Sequence, residues 1–143
     1  MLSELMTQAE IENHIETAER FLQHAEEEFE AGDMLQASEK AWGAVAHYLK
    51  SVAKFRGWQN RTHADLSDIV DDLGHETDDL NRIRDLYAYA GQMHQNFYED
   101  TFSYGQVSRG IDNVRELIDR LENRTGTPIT PRPSQMSRQR RRP

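Results

Sequence analysis

The chain has 143 residues, no cysteine and a formal net charge of −8 at pH 7. This length predicts one domain with a sizeable hydrophobic core, and the absence of cysteine excludes disulfide bonds and thiolate metal sites. No apolar run reaches the roughly 18–20 residues of a membrane span, and the first residues lack the basic-then-apolar pattern of a signal peptide, so we expect a cytoplasmic protein without membrane contact.

Apolar residues recur every three or four positions along most of the chain, which is the pattern of helices that bury one face. No stretch alternates with the period of two that indicates a strand. The four long sets are Ile11, Ile15, Ala18, Leu22, Ala25 and Phe29; Leu35, Ser38, Trp42, Val45, Leu49 and Val52; Leu80, Ile83, Tyr87, Ala90, His94 and Phe97; and Val107, Ile111, Val114, Ile118 and Leu121.

Glycines end the first three helices, and residues that can cap a helix precede the following ones. The glycines are Gly32, Gly57 and Gly74, and the capping residues are Asp33, Thr62 or Asn60, and Ser103. The predicted helices are 7–31, 34–56, 63–73, 78–99 and 104–123. We therefore predict an all-α domain over residues 1–123, an antiparallel bundle of four to five helices.

Residues 124–143 differ in composition, because they contain all four prolines and six arginines and almost no apolar side chains. Such a segment cannot bury enough surface to order itself, so it is predicted to be a disordered basic tail. A tail of this kind binds nucleic acid, an acidic partner or the domain's own acidic faces, or only keeps the protein soluble.

The charge is divided into four blocks of alternating sign. Residues 1–33 carry −9, residues 34–63 carry +4, residues 64–123 carry −9 and residues 124–143 carry +6. The total charge is therefore a poor guide to partners, since a partner responds to the face on which each block lies.

Three segments and one histidine carry a resemblance to a known family. The segments are 32–50, Gly57-Trp58 and Met93-His-Gln-Asn-Phe-Tyr-Glu99, and the histidine is His63. Over residues 8–122 the chain resembles the HEPN superfamily, most closely its PaREP branch. The resemblance implies a bundle of four to five helices that commonly forms homodimers. It also implies one of several activities, since the superfamily includes RNases, toxins and nucleotide-binding modules.

The RNase motif of the superfamily is an arginine followed, after four to six residues, by a histidine near the start of the penultimate long helix. The matching histidine is His94, but the three positions open to the arginine hold Tyr87, Ala88 and Tyr89. A tyrosine hydroxyl donates a hydrogen bond but has no positive charge. The departure speaks against efficient RNase activity. Arg56 and His63 have the motif's spacing, but they span a turn instead of one helix.

His94 is the candidate catalytic residue, because an imidazole exists in both protonation states near neutral pH. Asn96 and Tyr98 follow it and add polar atoms. The alternative is a core histidine that is hydrogen-bonded to a neighbouring helix.

A cationic stripe on the second helix is the candidate binding surface. Lys40, His47, Lys50 and Lys54 recur at steps of seven, three and four, and Arg56, Arg61 and His63 extend the set. Such cations bind the phosphates of a nucleotide or RNA, and Trp58 is placed to stack a base. The alternatives are a solvated face that pairs with the acids of the first helix and a tryptophan that only anchors packing.

Small residues, including Gly43, lie in the middle of the second helix and indicate close approach of another helix, either in the same chain or across a dimer. No metal-ligand spacing, phosphate loop or dinucleotide motif is present, so we expect no metal and no cofactor. The preferred hypothesis is a HEPN-like module that binds nucleotide or RNA. The alternatives are a protein-interaction bundle, such as an antitoxin-like protein or adaptor, and a metal-independent RNase with a displaced arginine.

Overall fold

The computed structural model describes the backbone of residues 2–125 and the side chains of residues 7–123. It contains five α-helices: Leu2–Glu30 (α1), Met34–Arg56 (α2), His63–His75 (α3), Leu80–Glu99 (α4) and Tyr104–Thr125 (α5). The part described has no strand, so the all-α prediction is confirmed. The predicted tail lies outside the described residues, except for Arg124 and Thr125, which complete α5.

The second helix lies at the centre of the bundle. It packs against all four other helices, and 13 of its 23 residues are buried. Helix α1 follows it closely, α4 and α5 pack together on another side, and the short α3 packs against both α4 and α2. Fully buried side chains from the predicted apolar sets fill the space between them: Ile11, Val45, Leu49, Val52, Ile83, Val107, Val114 and Leu121.

Local hydrogen bonds at the helix ends follow the sequence. The Asp33 carboxylate accepts a bond from the Gln36 amide at 3.0 Å, which caps α2 as predicted. Thr62 and Asp65 form a reciprocal capping box at the start of α3. Gly57 ends α2 in the left-handed conformation at φ 75°, where a residue with a Cβ would be strained. These short-range signals therefore set where α2 ends and α3 begins.

Gly74 does not end α3 as predicted, because the helix continues through His75. Its role is close packing instead. A Cβ at this position would lie 2.6 Å from Leu80 Cδ1 and 3.6 Å from Ile83 Cγ2. The glycine therefore allows the beginning of α4 to fold back onto the end of α3.

Two further glycines allow close contact between helices. A Cβ on Gly43 would overlap the Phe21 ring of α1, and a Cβ on Gly110 of α5 would overlap the thioether of Met93 on α4. The close approach predicted from the small residues of α2 is thus an intrachain contact with α1. Within the described part of the chain, none of the five helices combines the length and the hydropathy that a membrane crossing requires.

Replacing two helical glycines by alanine is expected to change stability in opposite directions. Met93 is fully buried and has little room to move, so Gly110→Ala should lower the free energy of unfolding by about 1–3 kcal/mol through overpacking. A Cβ on Gly91 of α4 meets nothing within 4 Å, so Gly91→Ala should raise it by about 0.5–1 kcal/mol. Urea unfolding of both variants tests this pair, and equal shifts would contradict the packing assigned to Gly110.

Candidate functional site

Three aromatic rings from three helices meet at the surface of the bundle. Trp42 of α2 stacks on His63, the first residue of α3, with ring centroids 5.8 Å apart and 10° between the planes. His94 of α4 lies 5.4 Å from Trp42 and 5.7 Å from His63. We call Trp42, His63 and His94, with the Glu39 and Tyr98 side chains that contact His94, the ring cluster.

Glu39 and His94 form a carboxylate–imidazole pair. The Nδ1 atom of His94 lies 2.8 Å from Oε1 of Glu39, and the two side chains are 28% and 30% exposed. The carboxylate accepts a hydrogen bond from Nδ1–H, and this contact favours the tautomer in which Nε2 has the free lone pair. The pair therefore offers an imidazole of fixed orientation that can accept a proton or a hydrogen bond.

One tyrosine belongs to the cluster and another borders it. Tyr98 lies edge-on to His94 at 5.5 Å and is 72% exposed. Tyr87 contacts Trp42 at 5.9 Å, and burial raises the pKa of its hydroxyl, although a hydrogen bond with Ser67 acts in the opposite direction. Tyr87 is also one of the positions where the RNase motif of the resembled superfamily would place an arginine. This position therefore borders the cluster but brings no cation to it.

The helical register explains how these side chains meet. Glu39 and Trp42 are three residues apart on α2, and His94 and Tyr98 are four apart on α4, so each pair lies on one face of its helix. The capping box of Thr62 fixes the start of α3 and so places His63 at its first position. The site is thus built on helices, and only His63 depends on a loop.

Asn96 lies on another face of α4 and is buried. It donates a hydrogen bond to Ser38 Oγ at 2.9 Å, and its Oδ1 accepts bonds from the amides of Thr101 and Phe102 at 2.8 and 2.7 Å. These bonds hold the turn between α4 and α5, in which Asp100 has a positive φ of 50°. The structure separates Asn96 from the ring cluster and gives it a role in the turn.

The cationic stripe of α2 faces α1 over much of its length. Lys54 forms an ion pair with Glu10 at 3.3 Å, and Lys40 lies 4.6 Å from the centre of the Phe21 ring. His47 meets His14 with 3.0 Å between their Nδ1 atoms. Lys50 is half-buried next to this histidine pair. Of these contacts, only the Lys54–Glu10 pair is of the kind that the solvated-face alternative predicts, and the binding role of the stripe stays a prediction.

Arg56 and Trp58 form a second structural group at the end of α2. Arg56 is buried, forms an ion pair with Glu76, and has its guanidinium 5.1 Å from the centre of the Trp58 ring. Trp58 is also buried, and its Nε1 has no acceptor among the described residues. Arg61 is the exposed cation of the predicted set, two residues before His63.

The structure brings together His63, His94 and Tyr98 from the predicted set and adds Glu39 and Trp42, which sequence reasoning missed. One signal was available, because Glu39 is the only acid between residues 34 and 63. Trp42 was assigned to the core by its periodicity, and it is indeed buried, at 7% exposure. Among the described residues, no three histidine, aspartate or glutamate side chains are placed to hold a metal ion.

A model of the archaeal PaREP1/PaREP8 family matches residues 13–118 of the chain. The match covers most of α1, all of α2, α3 and α4, and most of α5, so every residue of the ring cluster lies within it. No curated protein and no solved structure matches the chain.

The histidine pair between α1 and α2 is expected to make stability depend on pH. Burial, with added repulsion from His14 and Lys50, lowers the pKa of His47 from 6.5 to about 4. Between these values the unfolded chain binds a proton that the folded protein excludes, so the free energy of unfolding should fall as pH drops from about 6.5 to about 4.

Urea unfolding at several pH values tests this. As the pH drops, the free energy of unfolding should fall less steeply for His47→Gln than for the wild type. His75→Gln makes the same chemical change at the exposed end of α3 and should keep the wild-type profile. Parallel profiles for His47→Gln and the wild type would contradict the assignment.

Proposed function

The chain belongs to the archaeal PaREP1/PaREP8 family, and we propose that it is a HEPN-like helical module that binds a nucleotide or single-stranded RNA at the ring cluster. The observation that carries this proposal is the meeting of Trp42, His63 and His94 at the surface, with their rings 5.4–5.8 Å apart. Unpaired bases are recognised by stacking on such side chains and by hydrogen bonds to their edges.

The exposed members of the cluster supply both kinds of contact. His63 and Tyr98 offer ring faces to a base, and the partly exposed Glu39 and His94 offer hydrogen-bond acceptors and donors to its edge. Trp42 is covered by the two histidines and supports them from below. A ligand is thus held by its base. Arg61, two residues before His63 in the sequence, is the exposed cation available to its phosphate.

The charge of the domain favours recognition of bases over phosphates. Residues 1–125 contain all 25 acids and only 12 of the 17 bases of the chain, a net charge of −13. Such a domain repels a long polyanion, so short RNA or a mononucleotide suits the site better than a duplex. Because few phosphates are neutralised, binding should depend only weakly on salt.

A second candidate function rests on the Glu39–His94 pair and the nearby His63. Two imidazoles are the components of metal-independent RNA cleavage. His94 would take the proton from a 2′-hydroxyl as its oxygen bonds to phosphorus, and His63 would give a proton to the departing 5′-oxygen. Arg61 is then the candidate for the displaced arginine, since Arg56 is buried and paired with Glu76.

The homodimer and the antitoxin-like or adaptor role stay predictions.

Base stacking should be visible in the fluorescence of Trp42. The chain has two tryptophans, so Trp58→Phe leaves Trp42 as the sole reporter next to the site. Short single-stranded RNA and mononucleotides should change its emission with saturation. In this background, His63→Ala and Tyr98→Ala should each weaken binding roughly 5- to 100-fold, since stacking contributes about 1–3 kcal/mol per base.

Tyr104→Ala is the matched control for the binding test, because Tyr104 is also exposed but packs on Phe29. It should bind like its parent. If no nucleotide or RNA changes the Trp42 emission or the melting temperature, the binding proposal fails. If all three alanine variants bind equally, the ring cluster is not the site.

Cleavage of mixed-sequence RNA in the presence of a chelator tests the second candidate. His94→Ala should lower the rate by about 10²–10⁴-fold, which is the usual contribution of a general base. Glu39→Gln should also lower the rate, because an amide does not hold the imidazole in the tautomer with Nε2 free and has no charge to stabilise the imidazolium. Cleavage that persists in His94→Ala belongs to another site or a contaminant, and a wild type that binds RNA without cutting it leaves binding as the function.

A further inference from the structure

The domain has a groove between α1 and α5 that combines an apolar floor with acidic borders. Its floor contains Ile15, Ala18 and Leu22 of α1, Tyr48 of α2 and Ile118 of α5. The wider part has a volume of about 570 Å³. We call this surface the acidic groove, for the carboxylates that border it on both helices.

One border is on α1, where Glu19 lines the groove and a stripe of glutamates continues from it along the helix. Glu12, Glu16 and Glu19 are all exposed, and at about 100° per residue they lie within roughly 60° of one another around the helix. In the described part of the chain, none of the three pairs with a lysine or arginine, in contrast to Glu10 and Glu26, which pair with Lys54 and Arg115. Arg20 is the neighbouring cation in the sequence, and it donates a hydrogen bond to Thr17 Oγ1 at 3.4 Å. The stripe therefore keeps an excess of negative charge.

The other border lies on the last turns of α5, where Asp119 and Glu122 line the groove. Arg115 and Glu116 also line it, but Arg115 pairs with Glu26, and Glu116 pairs with Arg82 and Arg120. Helix α5 ends three residues later, at Thr125. The rest of the chain is therefore attached at the helix end that borders the acidic groove.

The segment that begins there has the complementary composition. Residues 126–143 contain five arginines, no acid and two larger apolar side chains, Ile129 and Met136. An extended, proline-rich chain of this length spans roughly 50 Å, which is longer than the roughly 33 Å of α5. The segment is thus long enough to reach every part of the groove from its point of attachment.

We propose that residues 126–143 dock in the acidic groove of their own domain. The arginines pair with the Glu12–Glu19 stripe and with Asp119, and the apolar side chains contact the floor near Leu22 and Ile118. Each exposed ion pair is weak alone, but the covalent link gives the segment an effective concentration in the millimolar range. Docking also offsets the self-repulsion of a domain whose first 125 residues carry a net charge of −13.

A spin label on the segment tests this proposal in the full chain. Because the protein has no cysteine, Ser137→Cys provides one labelling site. The nitroxide should preferentially broaden the NMR amide signals of residues 12–22 and 116–122. The effect should disappear at 1 M salt, where the Debye length falls to about 3 Å, and in the triple variant Glu12→Gln, Glu16→Gln, Glu19→Gln.

The matched control removes three charges at the other end of α1, with Glu27→Gln, Glu28→Gln and Glu30→Gln, and should keep the broadening. Loss of broadening in both triple variants would overturn the proposal, because the attraction would then depend on net charge alone. Broadening centred on His63 and Tyr98, or no local broadening, would also overturn it. In a mixture, spin-labelled molecules should not broaden the signals of ¹⁵N-enriched molecules that carry no spin label. Such broadening would also overturn the proposal, since the segment would then bind a second copy.

Discussion

The burial of α2 by all four other helices is the constraint on which the rest of the structure depends. A helix surrounded in this way needs small side chains where its neighbours approach, and Ala37, Ala41, Gly43 and Ala44 meet that need. The absence of a side chain on Gly43 leaves room for the Phe21 ring, so α1 can lie along α2. The same helix carries Glu39 and Trp42 towards α4, and its geometry therefore sets both the core and the candidate site.

The ring cluster depends on this central position because its members come from three helices, and only His94 and Tyr98 contact each other within one helix. Trp42 is a buried support, His63 is placed by the capping box at the start of α3, and His94 is oriented by Glu39 across the α2–α4 interface. Asn96 stabilises the turn that follows α4 through three hydrogen bonds, one to Ser38 of α2 and two from the amides of Thr101 and Phe102 in the turn. A rigid framework around a partly exposed imidazole suits the recognition of a planar, polar ligand.

Electrostatics divides the surface into regions with different uses. Cations of the positive block on α2 are paired with carboxylates, since Lys54 pairs with Glu10 of α1 and Arg56 pairs with Glu76, the residue that follows α3. What remains exposed on α1 and the end of α5 is mostly acidic, and the cations that could balance it follow Thr125. A strongly acidic domain joined to a short basic segment favours contact between these two parts of one chain over extensive contact with polyanions.

Local signals in the sequence determined the helices, most of their ends and the apolar faces, because periodicity and capping act over three or four residues. They also identified His63, His94 and Tyr98 as candidates, and these residues meet in the structure. Only the tertiary structure decided that Glu39 and Trp42 join them, that Arg56 and Asn96 are buried, and that Gly74 lies within α3. These outcomes depend on the rotation and crossing of whole helices, and residues 55 positions apart, such as Glu39 and His94, share no local pattern that reveals their contact.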